Sequence, residues 1–410
     1  MREGVVLRAR WVVPVAAPPL ENGWVRVARG RIVALGRRAP PGPTLDLGDA
    51  AILPGLVNAH THLEFSLRDR PHDAGGGLPA WIGRVVAERR ARSGDGAAAL
   101  HAAAIAAGLA ESLRHGVTTI GEIATALPAG GYPCAGPRLR VYREALGLGF
   151  RGGPLPGGVC RDLDRLGAHG GVSPHAPYTV PAPLGRALLE AAARRRLPAT
   201  MHLAEGPDEA TLVADGTGPF RDLLERLSAW PAAAPRLLPA SEWIGRLARL
   251  PRASVVHGTH LGAPPDGRAL ERLALHRSRI AVVVCPRTTR HLSGRLPPVD
   301  RFRAAGVRVA LGTDGRGSNP DLDPLAEARE LAGAGLATPE EALGMATRDA
   351  AWALGMERVA GVLRAGAPAD LAVIGIAGSA LDPHDALLRP DAPRLATLRG
   401  GRWLHGAVPG

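Results

Sequence analysis

The sequence predicts an α/β protein in which a (β/α)8 TIM-like barrel is joined to a small β-sandwich formed by the two chain ends. The chain has 410 residues, which suits a barrel of about 250 residues with a smaller companion. Eight short apolar runs alternate with helix-like segments rich in Ala, Leu and Arg. Both chain ends instead alternate between apolar and polar residues, without a long helix.

Each of the eight apolar runs ends in polar residues. Continuous apolar strands separated by helices are typical of a parallel sheet that is covered on both faces. Eight such units predict a closed barrel, in which functional residues lie at the carboxyl ends of the strands. The expected strand segments are 55–62, 116–124, 138–146, 170–179, 198–205, 253–261, 280–289 and 307–315.

The chain ends are expected to form the β-sandwich from residues 1–53 and 361–410, where stretches such as "GWVRVARGRIVALG" and "TLRGGRWLHG" indicate strands and turns. Residues 54–360 are then the barrel domain. Two connections, 66–100 and 206–250, are longer than a barrel needs. Long loops on a catalytic face often act as lids, and the sequence leaves open which of the two does so.

The composition is typical of a globular protein. Hydrophobic residues make up 46% and charged residues 21% of the chain, and no apolar run approaches the length of about 20 residues that spans a bilayer. Charges and prolines interrupt the N-terminal segment, so we expect no signal peptide and a cytoplasmic location. The three cysteines are widely spaced, which suits a reducing compartment and neither a disulfide framework nor a thiolate zinc site.

The formal net charge of +12 raises the question of nucleic-acid binding. All 50 basic residues are arginine, because the chain contains no lysine. They are dispersed among Asp and Glu and accompany no nucleic-acid-binding motif, so we expect neither nucleic acid nor membrane as a partner. The lack of lysine also excludes Schiff-base catalysis, a P-loop and a two-metal site bridged by a carboxylated lysine.

Two histidines, His60 and His62, follow the first apolar run. Side chains at positions i and i+2 of a strand point to the same face, so both can face one site. Such a pair alone is weak evidence, since most are surface or core histidines. Three later stretches at predicted strand ends strengthen the metal interpretation. They are "MHLAE" with His202 and Glu205, "VVHGTHL" with His257 and His260, and "LGTDG" with Asp314.

Imidazole and carboxylate groups at four strand ends predict a single metal centre. These groups suit one divalent metal ion, zinc or ferrous iron, and a catalytic site leaves one coordination position open for water. We therefore expect an enzyme that uses a divalent ion to activate water.

The chain resembles the amidohydrolase superfamily, in particular the mononuclear branch that includes methylthioadenosine/S-adenosylhomocysteine deaminases, guanine deaminase and triazine chlorohydrolases. The matching stretches, "PGLVNAHTHLE", "SPHAPYTV", "MHLAE", "HGTHL" and "GTDG", occur in the family's order. A closer resemblance, carried also by "WI", "CPR" and "VALGTD", is to the aminodeoxyfutalosine deaminases of menaquinone biosynthesis.

The resemblance implies a set of metal ligands, which are His60, His62, His202 and Asp314, and a pair of residues that handle protons, Glu205 and His257. Asp314 would accept a proton from the attacking water, which His257 orients. Glu205 would protonate the ring nitrogen beside the attacked carbon and then the leaving ammonia. The implied reaction is hydrolytic deamination of an aminopurine nucleoside, with 6-amino-6-deoxyfutalosine as the first candidate.

Six further residues are candidates for substrate contact. His175 ends the fourth strand, where the resembling deaminases contact substrate. Arg287 ends the seventh strand, and a guanidinium is the natural partner of the carboxylate that aminodeoxyfutalosine carries.

Arg143 could equally form an ion pair at the barrel rim, and its neighbour Glu144 is expected on the opposite face. The other candidates are His291, Glu64 as a substrate contact or a support of the metal ligands, and Trp81 as a stacking or packing residue.

Other interpretations use the same metal site. Guanine, S-adenosylhomocysteine, methylthioadenosine or a triazine-type ring would be attacked in the same way. A non-catalytic scaffold would be expected to lose ligands, and all of them are present. Dimers are common among the resembling proteins, so a homodimer is one expected assembly around the small-molecule substrate.

Overall fold

The structure is a computed structural model that describes residues 4–38, 40–376 and 382–406. Eighteen strands lie within these residues. They are β1 (Val5–Arg8), β2 (Trp11–Val12), β3 (Leu20–Glu21), β4 (Trp24–Ala28), β5 (Arg31–Gly36), β6 (Thr44–Asp46), β7 (Ala50–Pro54), β8 (Leu56–Thr61), β9 (Val117–Ala124), β10 (Arg138–Ala145), β11 (Gly170–Pro174), β12 (Ala199–Leu203), β13 (Ala253–His257), β14 (Ile280–Val284), β15 (Val309–Leu311), β16 (Leu371–Gly375), β17 (Arg394–Arg399) and β18 (Arg402–His405).

Fourteen α-helices lie within the same residues, and among them we find no helix with the length and apolar character that crossing a bilayer demands. They are α1 (Gly77–Ala91), α2 (Ala97–Arg114), α3 (Val159–Leu166), α4 (Ala182–Arg194), α5 (Pro207–Asp215), α6 (Pro219–Arg226), α7 (Ala240–Leu247), α8 (Ala269–Leu275), α9 (Pro286–Ser293), α10 (Val299–Ala304), α11 (Pro324–Gly333), α12 (Pro339–Met345), α13 (Arg348–Ala353) and α14 (Pro383–Leu387).

The strands β8 to β15 pair side by side in chain order, all parallel, and confirm the predicted barrel. A bridge between Thr61 and Asp314 brings the last strand back to the first. Asn58 strengthens this seam, because its side-chain amide donates to Thr313 Oγ1 at 2.7 Å and its carbonyl accepts from Thr313 N at 3.1 Å. The seam therefore brings the ends of β8 and β15 together.

The barrel interior is apolar, as a parallel sheet covered on both faces requires. Inward-facing side chains such as Val57, Ile123, Val256 and Val283 form one core cluster together with residues of α13. A larger cluster lies between the strands and the surrounding helices. Because the strands are packed from both sides, the polar residues at their carboxyl ends are held in fixed positions.

The chain ends form two further sheets, which confirms the predicted β-sandwich. The first has the order β5-β4-β1-β6, and the second has the order β18-β17-β16-β7-β2-β3. In the second, β16 pairs antiparallel with β7, so a C-terminal strand lies beside an N-terminal one. Both sheets contribute to one buried cluster that includes Leu7, Val25, Ile52, Leu371 and Leu398.

The two long connections are largely helical, whereas the sequence suggested loops. Residues 66–100 contain α1 and the start of α2, and residues 206–250 contain α5, α6 and α7. Glycine and proline residues of these connections lie at helix starts. Both α5 and α6 begin with proline, which is tolerated at the first helical position because the N–H there has no partner within the helix.

Gly312 allows the barrel seam to close. A Cβ at this position would lie 2.8 Å from His60 Cβ and 2.9 Å from the His60 backbone oxygen. We expect Gly312→Ala to lower the free energy of unfolding by about 1–3 kcal/mol, the usual cost of overpacking, as measured by chemical denaturation. Gly245→Ala in α7 is the matched control, because a Cβ there meets no atom within 4 Å and alanine favours helix. Equal stability of the two variants would contradict this account of the seam.

Candidate active site

Four of the residues expected to bind metal meet at the carboxyl ends of β8, β12 and β15. The ring centroid of His60 lies 5.1 Å from that of His62 and 4.9 Å from that of His202. Asp314 Oδ1 lies 3.5 Å from His60 Nε2 and 3.6 Å from His62 Nε2. The structure therefore brings together side chains that are more than 250 positions apart in the chain.

The nitrogen atoms at this centre fit a bound metal ion. Both ring nitrogens of His60 are buried and have no hydrogen-bond partner among the described residues. His202 Nδ1 lies 2.9 Å from the backbone oxygen of His175. Because Nδ1 donates its proton to this carbonyl, Nε2 is the free ligand atom of His202. Ligand atoms of His60, His62 and Asp314 lie within 4.8 Å of one another, as do those of His60, His202 and His257.

Burial keeps the histidines of this centre neutral. It lowers the pKa of His60 and that of His257 to about 3. It also lowers the pKa values of His62 and His202 well below the ordinary value, with a further contribution from the charge of His60. Because neutral imidazole is the form that binds a metal ion, these residues are ready to do so at neutral pH.

The backbone is strained where the functional strands end. The φ angles of Ala204, His257 and Asp314 are 53°, 64° and 56°, in the left-handed region that costs a non-glycine residue about 1–2 kcal/mol. Such strain gathers at functional sites, where the surrounding structure holds a side chain in a required direction. The turn at Ala204 leads directly to Glu205.

Glu205 and His257 form a second group beside the metal-binding residues. Glu205 Oε1 lies 3.5 Å from His257 Nε2. Burial raises the pKa of Glu205 well above its ordinary value, and the nearby charges of Asp314 and Glu209 raise it further. Glu209 also holds the preceding turn, because its Oε1 accepts a hydrogen bond from Ala204 N at 2.8 Å. A carboxyl group with a raised pKa can carry a proton at neutral pH and give it to a substrate.

A cavity of about 560 Å³ opens onto both groups. His62, His202, Glu205, His257 and Asp314 line one part of it. Much of the remaining lining is apolar and comes from the turn that follows β8, from α1 and α6, and from the segments that follow β10 and α6. We call this lining the apolar wall; it includes Phe65, Trp81, Val85, Leu148, Phe220 and Trp230. The cavity thus joins a polar part, lined by candidate metal ligands, to a large apolar part.

Two of the residues predicted to contact substrate line this cavity. His175 is held by Thr179, whose Oγ1 lies 2.7 Å from His175 Nδ1. Trp81 lies in α1, and its Nε1 donates a hydrogen bond to the backbone oxygen of Gly317 at 3.1 Å. Both side chains are therefore held in position by neighbours that also line the cavity.

Arg287 and His291 do not line the cavity, contrary to the sequence-based expectation. Arg287 makes two hydrogen bonds to Asp321, of 2.8 and 2.9 Å. His291 Nε2 contacts the backbone oxygen of His72 at 2.8 Å. The physical reason is that β14 ends at Val284, so both residues belong to α9 and follow its helical direction rather than the direction of the strand.

Arg143 and Glu64 also differ from the expectation of substrate contact. Arg143 forms an ion pair with Asp162, with Nε 2.7 Å from Oδ2, which is the rim role that the sequence left open. Glu64 accepts hydrogen bonds of 2.7 and 3.2 Å from Arg89, and neither Arg143 nor Glu64 lines the cavity. Glu144 does line it, in agreement with the expected alternation along the strand.

Three further residues line the cavity although the sequence suggested no role in the site for them: Arg89, Glu144 and Ser318. A periodic signal for Arg89 was present, because Trp81, Val85 and Arg89 are spaced by four residues and share one face of α1. Ser318 donates a hydrogen bond to Asp314 Oδ2, and no local pattern marks it. Glu144 could have been found by strand parity once the limits of β10 were known.

Comparison with known proteins gives one consistent family. The amidohydrolase family model matches residues 51–404. The 5-methylthioadenosine/S-adenosylhomocysteine deaminase of Moorella thermoacetica is 30% identical over 394 residues, which are 90% of this chain and 85% of that protein. The aminodeoxyfutalosine deaminase of Deinococcus radiodurans is 33% identical over 316 residues, 70% of this chain and 69% of that protein. An adenosine deaminase from Xanthomonas campestris, whose crystal structure contains zinc, matches with a TM-score of 0.75 and 25% identity, over 97% of this chain and 92% of that one. The chain therefore belongs to the amidohydrolase family.

Proposed function

We propose that the protein is a metal-dependent hydrolytic deaminase of a purine nucleoside that carries an extended 5′ group, and that 6-amino-6-deoxyfutalosine, converted to futalosine, is its best candidate substrate. The observation that carries the reaction class is the position of Glu205, a buried carboxyl group beside four potential metal ligands at one cavity. The family and the named deaminases among the relatives support the same reaction.

One divalent ion would be held by His60, His62, His202 and Asp314. When bound, such an ion supplies Lewis-acid chemistry that brings the pKa of a coordinated water towards neutrality. Imidazole and carboxylate donors suit zinc or ferrous iron. The zinc in the similar adenosine deaminase structure favours zinc.

Asp314 and His257 act on the attacking water. Asp314 Oδ2 accepts a hydrogen bond from Ser318, which leaves Oδ1, on the side of His60 and His62, to accept the proton of the water. His257 is buried and has a lowered pKa, so it acts as a neutral hydrogen-bonding group that orients the water. Neither step requires a second metal ion.

Glu205 acts on the substrate ring. With its raised pKa, its carboxyl group donates a proton to the ring nitrogen beside the carbon that the water attacks. The resulting carboxylate then takes a proton from the tetrahedral centre and returns it to the departing ammonia. Transfers of this kind are typically worth about 100- to 10,000-fold in rate.

The cavity supports a substrate that is larger than a free base. The apolar wall favours an aryl or alkylthio group at the far end of a nucleoside, because burial of such groups in an apolar pocket stabilises binding. Arg89 also lines the cavity. Since Glu64 fixes its guanidinium from one side, Arg89 is placed to pair with a substrate carboxylate. An aryl carboxylate such as that of aminodeoxyfutalosine meets both requirements.

Methylthioadenosine or S-adenosylhomocysteine is the second candidate substrate. The same apolar wall would accept a methylthio group, and the identity of 30% over 90% of the chain to a deaminase named for these two nucleosides favours it. The two candidates differ in whether an aryl carboxylate is recognised.

Ammonia release from a panel of aminopurines tests the proposal and separates the candidates. We expect the highest kcat/KM for aminodeoxyfutalosine, followed by methylthioadenosine and adenosine, with guanine and triazines lowest.

Arg89→Met should lower kcat/KM for the carboxylated nucleoside by about 10-fold or more, the value of a charged hydrogen-bonded pair. Arg84→Met is the control, because Arg84 lies on the same helix but pairs with Asp73 away from the cavity. A higher kcat/KM for methylthioadenosine would favour the second candidate, and no ammonia from any purine nucleoside would overturn the proposal.

A further inference from the structure

Glu144 is a buried carboxyl group that the reaction proposed above does not use. It lies near the end of β10, is 2% exposed and lines the cavity. Neither of its carboxyl oxygens has a hydrogen-bond partner within the described part of the chain. A buried acceptor of this strength is costly to leave without a donor, so its two oxygens point to a ligand that brings donors with it.

The nearest histidine does not supply the missing donor. Glu144 Oε1 lies 3.9 Å from His202 Nδ1, which is beyond hydrogen-bond distance. That nitrogen already contacts the backbone oxygen of His175 at 2.9 Å, and His175 Nδ1 contacts the Thr179 hydroxyl at 2.7 Å. These histidine nitrogens are therefore committed elsewhere.

The two arginines whose charges act on Glu144 make their side-chain hydrogen bonds to other groups of the protein. Arg89 makes a two-point contact with Glu64, and Arg143 pairs with Asp162. Burial raises the pKa of the Glu144 carboxyl group to about 8, and the positive charges of Arg89 and Arg143 oppose this rise only in part. Neither arginine makes a side-chain hydrogen bond to the carboxyl group within the described residues. The hydrogen-bond partners of Glu144 must therefore come from the cavity.

The position of Glu144 in the cavity indicates which part of a nucleoside it would meet. On one side lies His202, at the metal-binding end. On the other side, the chain continues directly into Leu146 and Leu148, which line the apolar part. In a nucleoside that places its base at the metal-binding end and its 5′ group against the apolar wall, the sugar lies between these two parts.

We propose that Glu144 is a specificity-determining residue that hydrogen-bonds to the vicinal 2′- and 3′-hydroxyls of the substrate ribose, an inference that rests on the function proposed above. Two adjacent hydroxyls each donate and accept a hydrogen bond, and a carboxyl group presents two oxygens to them. The pairing holds for either form of the group, since a protonated carboxyl donates to one hydroxyl and accepts from the other. Glu144 would therefore distinguish ribonucleosides from deoxyribonucleosides.

Deamination of adenosine, 2′-deoxyadenosine and 3′-deoxyadenosine tests this role. We expect the native enzyme to prefer adenosine by about 10- to 100-fold in kcat/KM, because a deoxynucleoside leaves a buried carboxyl oxygen without its hydrogen-bond partner. The difference should lie mainly in KM, because the hydroxyls are bound equally before and during the reaction. In Glu144→Ala the preference should fall to about threefold or less, since adenosine loses its advantage while the deoxynucleosides keep their rates. Glu144→Gln preserves the shape of the side chain, and its preference for adenosine should lie between those of the native enzyme and Glu144→Ala. It replaces the alanine variant in this test if that variant does not fold.

Binding of reaction products separates this inference from the proposed function. Calorimetric titration with inosine and 2′-deoxyinosine needs no turnover. The native enzyme should bind inosine with a lower Kd than 2′-deoxyinosine, and Glu144→Ala should bind the two with similar Kd values. Two results would overturn the role of Glu144 while leaving deamination intact. One is a preference for ribose that survives in Glu144→Ala. The other is an equal loss of kcat/KM on ribose and deoxyribose substrates, accompanied by a reduced metal content. Absence of deamination together with a ribose preference that depends on Glu144 would overturn the proposed reaction and keep the inference. Absence of any nucleoside binding would overturn both.

Discussion

A Glu205→Gln variant is expected to retain its metal ion and to lose about 100- to 10,000-fold in kcat. Glutamine has nearly the same shape but cannot move a proton between water, ring nitrogen and leaving ammonia. The position of Glu205 supports a large effect, because it lines the cavity beside His257 and its burial raises the pKa of the carboxyl group. KM should change much less than kcat, since the proton is needed in the transition state rather than in substrate binding.

Steady-state ammonia release and metal analysis of the same preparations check this expectation. Glu225→Gln is the matched control, because Glu225 lies on the exposed side of α6 and pairs with Arg221 on the same helix. It should keep the native kcat. A kcat within threefold of the native value for Glu205→Gln would show that another group transfers the proton.

Loss of a metal ligand should have an effect at least as large. We expect His202→Ala and Asp314→Asn to bind less than a tenth of the metal of the native protein and to release no measurable ammonia. His202 is held by the backbone of His175 with its other nitrogen free, and the Asp314 carboxylate lies beside His60 and His62. Each change therefore removes one ligand from a small set.

His291→Ala is the control for the ligand variants. The sequence suggested a role in the site for His291, but its ring contacts the His72 backbone away from the cavity. This variant should keep its metal and its kcat. Because a metal ion that binds only the folded state stabilises it, chelation should lower the melting temperature of the native protein and of His291→Ala but not that of His202→Ala. Full metal content in His202→Ala would remove this residue from the ligand set.

The fold could be predicted from the sequence because its main signal is local. Parallel barrel strands are buried on both faces, so each one appears as a continuous apolar run, and the order of the runs gives the order of the sheet. The bounds of the strands were less certain. The seventh strand was expected to extend over 280–289, but it ends at Val284, because a helix begins at Pro286.

The proximity of the candidate metal ligands could be predicted because each one lies on or shortly after a strand, where parity and strand direction determine what the side chain faces. Arg287 and His291 lie beyond such a strand end, and the start of α9 turned them away from the cavity. Arg89 contributes from a helix after a Gly-rich stretch. The spacing of Trp81, Val85 and Arg89 marks one face of α1. The direction in which that face points depends on how α1 packs against α6, and local sequence does not encode that packing.

We expect one divalent ion, held by four side chains from three barrel strands, to be what makes the protein a deaminase. The most direct measurement is ammonia release from a purine nucleoside by chelator-treated protein as zinc or ferrous iron is added back under anaerobic conditions. The account predicts no activity without metal and a linear rise that stops at one equivalent per chain. Full activity in the metal-free protein, or a rise that continues to two equivalents, would contradict it.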